Sequence, residues 1–229
     1  MPSYARKHQL QKSLVYHIYN RSHRGEFIFK VKEDFEHFAG LLGRLKDSYD
    51  IKIYHWVIMS NHFHLCVEFS QPEEMSRILA GVQRAYTHYY NRTHEVFGYL
   101  WQGRFKSQAI EKEQYVQACG RYIERNPVRA AMVREAEEYS YSSGRYYCLG
   151  TKDGITDANP FIEEFGGSDE EKRINYTRYL RDFDLEEEKS FRRMLQPLGS
   201  DAFKARLMKM GGHFLPRRRG NVRKDLICS

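Results

Sequence analysis

The chain has 229 residues, of which 41% are hydrophobic and 29% charged, and its formal net charge is +7. This is the composition of a globular protein with one generous domain, with or without an appendage. No apolar stretch approaches the roughly 18 residues of a membrane span, and the first residues lack the apolar core of a signal peptide. The four cysteines are scattered without a Cys-x-x-Cys pair. This argues against a disulfide framework and a zinc knuckle, and favours a reducing cytoplasm.

The basic charge is unevenly distributed along the chain. Residues 1–150 carry a net charge of +5, residues 151–200 carry −4 and residues 201–229 carry +6. Mild basicity alone is weak evidence for a nucleic-acid partner, but charge concentrated in the body and the tail strengthens it. The 17 tyrosines suit stacking on single-stranded bases, although tyrosine is also an ordinary strand residue.

Seven segments of the first 150 residues have the periodicity of regular secondary structure. Alternating apolar residues predict strands, and apolar residues at helical spacing predict helices. In chain order they are a strand over 14–20, a helix over 33–48, strands over 51–59 and 62–69, a helix from Pro72, a strand over 104–110 and a helix over 112–125 that Pro127 stops. The order predicts an α+β fold of the ferredoxin-like, split βαβ type. Such a fold has an antiparallel sheet with helices on one face, and its first and third strands are central.

The composition changes after residue 149. Residues 150–154 have the glycine and polar content of a linker, and residues 159–210 are acidic with a helical pattern. Residues 216–224 form a basic tail. We therefore predict a first domain over residues 1–149 and a helical C-terminal extension with a basic tail over residues 150–229.

His62 and His64 form the most informative local pattern. Side chains alternate along a strand, so both imidazoles lie on one face, with Cα atoms roughly 6.6 Å apart. Imidazole is the commonest metal ligand in proteins, so the pair could hold one ion, although two polar residues on a wet strand face would look the same. Cys66 continues this face. It lies about 13 Å from His62 along a strand, too far to share an ion at bond lengths of about 2.0–2.3 Å.

Tyr122 and Asn126 supply a candidate second half of this site. They are four residues apart and therefore share a helix face. The amide oxygen of Asn126 would complete a site of two imidazoles and one amide that suits Mg²⁺ or Mn²⁺ and leaves positions for phosphate oxygens. Tyr122 could then attack a phosphate held there. From spacing alone, a core tyrosine and a C-cap before Pro127 explain the two residues as well.

Four stretches of the chain are similar to motifs of one known family. They cover residues 59–65, 100–107, 121–130 and 139–143. In this order they resemble the single-tyrosine HUH transposases of IS200-like type, and most closely the REP-associated tyrosine transposases of bacteria. The resemblance extends over about residues 12–147.

The resemblance implies a mechanism and a role for each site residue. In this family two histidines and an Asn or Gln bind a divalent metal, roles that fall on His62, His64 and Asn126, and the nucleophile's role falls on Tyr122. The tyrosine attacks single-stranded or hairpin DNA, forms a 5′-phosphotyrosine and releases a 3′-OH, and reversal rejoins strands without ATP. Tyr115 is a rival two helical turns earlier, but Tyr122 is the tyrosine that matches the motif before Asn-Pro.

Basic side chains near the motifs and in the tail are candidate DNA contacts. They are Arg21, Arg24, Arg104, Lys106, Arg125, Arg129, Arg217, Arg218 and Arg219. A solvated surface is the competing interpretation for each of them. If the tail binds phosphates, DNA affinity should depend steeply on salt.

Several alternatives stay open at this point. A non-catalytic nucleic-acid-binding regulator on the same fold is the alternative function, and a replication-initiator relaxase fits the motif order less well. The sequence leaves open a mobile element against a domesticated enzyme, and a homodimer against a monomer. The resemblance implies a location in the bacterial cytoplasm, associated with the nucleoid.

Overall fold

The structure is a computed structural model that describes residues 10–112, 114–182, 189, 191 and 197–209. The strands are β1 (Val15–Arg21), β2 (Ile51–Met59), β3 (His62–Phe69) and β4 (Lys106–Ile110). The α-helices with described bounds are α1 (Lys32–Ser48), α2 (Met75–Thr93), α3 (Gln114–Glu124), α4 (Asn126–Arg129), α5 (Gly144–Leu149), α6 (Asp169–Arg181) and α7 (Asp201–Lys209). Short 3₁₀ turns cover His23–Gly25, Pro72–Glu74, Ala136–Glu138 and Ile162–Phe165.

The four strands form one antiparallel sheet in the order β2-β3-β1-β4. The predicted ferredoxin-like fold, with the first and third strands in the centre, is confirmed. In the register of β1 and β3, Tyr19 lies opposite His64 and Arg21 lies opposite His62. The predicted bounds are close, except that β4 begins at Lys106 rather than at residue 104. The histidine pair therefore lies on a central strand.

One face of the sheet packs against α1 and α2. Phe63 and Leu65 of β3 point to this face and are 1% exposed. Phe38 of α1 and Leu79 of α2 cover them with the same near-complete burial. The alternation of β3 thus places His62 and His64 on the opposite face, as predicted.

The histidine face is covered by α3, which corrects one detail of the prediction. Helices were expected on one face only, but Val116, Cys119 and Ile123 of α3 pack against Val57 and Cys66 on the other. The amphipathic pattern of α3 could not reveal which face of the sheet it would cover, because both faces offer apolar residues.

Glycine at position 120 allows α3 to lie very close to β2. A Cβ at Gly120 would lie 2.5 Å from the ring of His55, closer than real contacts allow. His55 itself is fully buried between β2 and α3. The small residue therefore sets the distance between the helix and the sheet.

The described part of the C-terminal extension packs into the body of the protein. Ile155 and Phe203 are buried in the cluster between the sheet and α1 and α2, and Tyr176 is buried against Tyr147. Leu198 continues the sheet beyond β4, since its backbone N–H donates to the carbonyl of Ala109 at 2.9 Å. The division after residue 149 stays a prediction about domains, but the two parts share cores. Within the described residues, no helix combines the length and apolar character needed to cross a membrane.

Candidate functional site

The two histidines of β3 each use their Nδ1 atom for a contact within the protein. Nδ1 of His64 lies 2.8 Å from Nε2 of His17 on β1. Nδ1 of His62 lies 2.6 Å from the side-chain oxygen of Asn61. The ring centroids of His62 and His64 are 5.2 Å apart. Both side chains therefore keep Nε2 as the atom that can serve a further partner, and hydrogen bonds at Nδ1 fix the imidazole tautomer in that sense.

Burial keeps these imidazoles in the neutral form. It lowers the pKa of His62 to about 4, and it lowers the pKa of His64 well below 6.5. Burial also lowers the pKa of His17 to about 3. The positive charge of Arg129 lowers the pKa of all three histidines further. A neutral imidazole offers the lone pair that a metal ion requires.

Asn126 lies beside His62, although α3 ends at Glu124 and Asn126 begins α4. Arg125 keeps helical backbone angles, and the N–H of Arg129 donates to its carbonyl at 2.9 Å, so the helical path continues into α4. The side-chain nitrogen of Asn126 donates to the carbonyls of Tyr122 and Ile123, both at 3.0 Å. A hydrogen bond that the Asn126 side chain accepts from His62 raises the pKa of His62, against the larger effect of burial. With its amide nitrogen engaged, Asn126 presents its oxygen to His62.

Tyr122 lies one turn before Asn126, and its ring contacts the histidines directly. Its centroid is 5.6 Å from those of His17 and His64, with both pairs edge to face. The Tyr122 ring also stacks on Phe191, with centroids 5.1 Å apart. The guanidinium carbon of Arg129 lies 4.3 Å from the ring centroid. Tyr122 is therefore held among aromatic rings and one cation, with 7% of its surface exposed.

These groups have the chemistry of a site for a hard or borderline divalent cation. Within the described residues, no three side chains of the His, Cys, Asp and Glu types gather as a metal cluster. The available donors are two neutral imidazoles and one amide oxygen, from His62, His64 and Asn126. This set fits Mg²⁺ or Mn²⁺, which accept oxygen ligands and retain open positions. The placement of Cys66 adds nothing to it, since its side chain is fully buried in the apolar cluster under α3.

The rival tyrosine lies elsewhere. Tyr115 belongs to the first turn of α3 and packs, partly buried, at the margin of the apolar cluster on this face. Tyr122 instead contacts the histidine rings. The geometry therefore favours Tyr122 as the tyrosine of the site.

Four of the candidate DNA contacts are exposed near the site. Arg21 lies opposite His62 in the sheet, and its Nε donates to the side-chain oxygen of Gln102. Arg24 and Arg104 are exposed on the neighbouring turns. Lys106 is exposed on β4 and donates from Nζ to the hydroxyl of Tyr19 at 2.7 Å. Arg129 is half-buried over Tyr122, so its place is inside the site.

Arg125 was predicted to contact DNA from the surface, but the structure buries this side chain. Arg125 is 7% exposed and donates from Nη1 to the carbonyl of Leu180 at 2.7 Å. Arg121 similarly donates to the carbonyl of Asp182, and its guanidinium lies over the ring of Tyr179. Arg121 of α3 and Arg125, which precedes α4, thus cap the last carbonyls of α6. Arg217, Arg218 and Arg219 lie outside the described residues.

A buried polar network on the same helix joins α3 to the extension. The carboxylate of Glu124 accepts hydrogen bonds from the hydroxyls of Ser143 at 2.6 Å and Tyr176 at 2.8 Å. It also lies 2.9 Å from Nδ1 of His55, whose Nε2 is 3.2 Å from the side-chain nitrogen of Asn159. Sequence reasoning missed this network, because its members lie on five separate segments.

His17 is the residue at the site that sequence reasoning missed although a signal was present. His17 lies opposite Cys66 in the pairing of β1 with β3, and Cys66 shares a face with His64. His17 therefore points to the same side of the sheet as His64. The alternation along β3 predicts the face of His62 and His64, but the face of His17 relative to them follows only from the pairing of β1 with β3.

Comparison with known proteins identifies the family. A family model described as Transposase IS200 like matches residues 10–126. A comparison with curated protein sequences returned no match. A solved structure described as "Structure of the REP associates tyrosine transposase bound to a REP hairpin" aligns with a TM-score of 0.56 at 17% identity, and the alignment covers 69% of this chain and 90% of that chain. At this identity the likeness shows the shared fold. Because the family model spans more than half of the chain and the resemblance predicted from the motifs agrees with it, the chain belongs to the IS200-like transposase family.

Proposed function

We propose that this protein is a metal-dependent enzyme that cleaves and rejoins single-stranded DNA at hairpin-forming repeats, through a 5′-phosphotyrosine on Tyr122. The observation that carries the proposal is the position of Tyr122, whose ring contacts His64 and which lies one helical turn before Asn126. The nucleophile and the donor atoms thereby converge on one face of the sheet. Membership of the IS200-like transposase family supports the reaction class.

The residues divide into holding and reacting groups. His62, His64 and Asn126 would hold a divalent ion, through two imidazole nitrogens and one amide oxygen. A Mg²⁺ or Mn²⁺ ion bound there would polarise a phosphoryl oxygen of the strand and offset its developing charge. Burial of the imidazoles keeps their lone pairs available at neutral pH, because their pKa values are lowered.

Tyr122 performs the transfer with a balanced exchange of bonds. Its hydroxyl oxygen attacks the phosphorus, the bond from phosphorus to the 3′ oxygen breaks, and the phenolic proton ends on the released 3′-OH. The guanidinium of Arg129 lies over the ring, where it favours the charge that the phenol oxygen gains as its proton leaves. The phosphodiester energy is retained in the tyrosine ester, so the reverse step joins strands without ATP.

The substrate class rests on charge and on the structural relative. Exposed Arg21, Arg24, Arg104 and Lys106 lie around the site and are suited to backbone phosphates. The solved structure with the same fold was described as bound to a REP hairpin. A hairpin with a single-stranded flank is therefore the substrate that we propose for this chain.

Cleavage of a labelled hairpin oligonucleotide with single-stranded flanks tests the proposal. In Mn²⁺, the wild-type protein should form an adduct that survives a denaturing gel. Tyr122→Phe should lose the adduct but still bind the oligonucleotide, and Tyr115→Phe serves as the matched control on the same helix and should form the adduct. If Tyr122→Phe forms the adduct and Tyr115→Phe does not, the assignment of the nucleophile is wrong. If the wild-type protein binds the hairpin and forms no adduct with either metal, the non-catalytic regulator is the better reading.

A further inference from the structure

Large aromatic side chains are exposed on a loop beside the site. Phe97 is 99% exposed and Tyr99 is 73% exposed, both in the segment between α2 and β4. The ring of His23, in the turn after β1, contacts Tyr99 with centroids 4.9 Å apart. We call the surface formed by His23, Arg24, Phe97 and Tyr99 the aromatic loop surface. Apolar side chains that are exposed side by side, rather than singly, are the kind of surface that can mark an interaction site.

The aromatic loop surface is continuous with the histidine pair. Asn61 contacts Nδ1 of His62 and donates to the carbonyl of Gly25 at 3.0 Å. The N–H of His23 donates to the carbonyl of Leu100 at 2.6 Å. Contacts therefore run from His62 through the turn after β1 to the loop that carries Tyr99. A single strand of DNA with a phosphate at His62 and His64 can therefore extend across the aromatic loop surface.

The charge of the surrounding segments selects the kind of partner. Residues 20–30 and 92–106 together carry a net charge of +4 with histidine neutral. A second copy of the same surface would be repelled, whereas a polyanion would be attracted. Aromatic side chains next to basic side chains are also suited to unpaired nucleotides. Their bases stack on the aromatic rings, and their phosphates contact arginine.

We infer that the aromatic loop surface binds unpaired nucleotides of single-stranded DNA, with bases stacked on Phe97 and Tyr99 and phosphates held by Arg24. The inference rests on the proposed function for its choice of DNA as the ligand. It adds the place where the unpaired flank leaves the site, and the residues that bind its bases without sequence readout.

Binding of a short fluorescein-labelled single strand without a hairpin tests the inference. Fluorescence anisotropy is measured with the full chain in EDTA, so that no cleavage contributes. Phe97→Ser and Tyr99→Ser should each weaken affinity about fivefold or more, which is the range that a stacked base contributes. Tyr99→Phe retains the ring and should bind nearly as the wild type does. Ile174→Ser is the matched control, because Ile174 is an exposed apolar residue, 52% exposed, on α6.

A second readout distinguishes stacking from other effects. A 2-aminopurine base in the strand should be quenched by the wild-type protein and by Tyr99→Phe, and much less by the double variant Phe97→Ser/Tyr99→Ser. Unchanged affinity and quenching in the double variant would overturn the inference. So would gel filtration showing that the double variant only abolishes a dimer, since the partner would then be a second copy of the chain. The inference can fail while the adduct on Tyr122 still forms, and it can hold when no adduct forms.

Discussion

Nε2 of His17 lies 2.8 Å from Nδ1 of His64, and both residues are buried, His17 completely and His64 with 5% of its surface exposed. For Nε2 of His64 to offer its lone pair to a metal, its Nδ1 must carry the proton and donate to His17. The buried histidine of β1 therefore selects the tautomer of the histidine on β3. A site described only by its ligands would omit this residue.

Replacing His17 should weaken metal binding. His17→Phe removes the acceptor for His64 and is expected to reduce Mn²⁺ affinity by about 10- to 100-fold, the usual effect of losing such a partner. His17→Gln retains an acceptor oxygen and should lose less. Mn²⁺ titrations followed by electron paramagnetic resonance measure the affinity directly, without DNA.

An exposed histidine provides the control for this titration. His88→Gln changes a solvent-facing residue of α2, on the other side of the sheet, and should leave Mn²⁺ affinity unchanged. Wild-type affinity in a folded His17→Phe protein would contradict the role given to His17.

The stability of the metal-free protein should fall in mild acid. Burial lowers the pKa of His17 to about 3, whereas the unfolded chain protonates this residue near pH 6.5. The unfolded state therefore takes up a proton as the pH falls below 6.5 and the folded state does not. By pH 5 this costs about 2 kcal/mol of unfolding free energy for this one histidine. Urea denaturation between pH 7 and pH 5 measures the loss, and a pH slope in His17→Phe equal to that of the wild type would refute the assignment.

Arg129 should affect the rate of adduct formation but not metal binding. Its guanidinium lies over the Tyr122 ring, where it favours the phenol oxygen as that atom becomes negative. Arg129→Gln is expected to slow adduct formation about tenfold or more in single-turnover gels. Mn²⁺ affinity should not fall, because the charge of Arg129 lowers the pKa of His62 and His64 and does not hold the ion. Arg44→Gln, on the exposed side of α1, is the control and should react at the wild-type rate.

Gly120→Ala should destabilise the fold. The added methyl group would lie 2.5 Å from the His55 ring, so α3 or β2 must shift, at a cost of about 1–3 kcal/mol. Gly81→Ala in α2 meets nothing within 4 Å and should instead stabilise by about 0.5–1 kcal/mol. Chemical denaturation of the two variants gives the comparison. Equal effects of the two substitutions would contradict the tight packing of α3 on β2.

The core of the fold and the site could be predicted because their signals are local. The alternation in β3 placed His62 and His64 on one face, and helical spacing placed Asn126 one turn after Tyr122. The error at Arg125 has a different cause. Its acceptor is the carbonyl of Leu180, 55 residues later in the chain. The sequence around Arg125 contains no pattern that predicts this contact. Likewise, the face that α3 covers depends on packing between distant segments.

Residues 121–126 alternate between side chains that face the site and side chains that bind the C-terminal extension. This arrangement restricts how the extension can be removed or replaced. Tyr122 and Asn126 face the histidines, whereas Arg121, Glu124 and Arg125 bind the end of α6 and Tyr176. A chain shortened to residue 149 would remove the carbonyl partners of both guanidinium groups and the Tyr176 hydroxyl from Glu124, and it would expose this part of α3 to water. The boundary suggested by composition therefore lies between segments that share buried contacts. If relatives exchanged the C-terminal extension, Arg121, Glu124 and Arg125 would have to be exchanged as well, because these residues bind it.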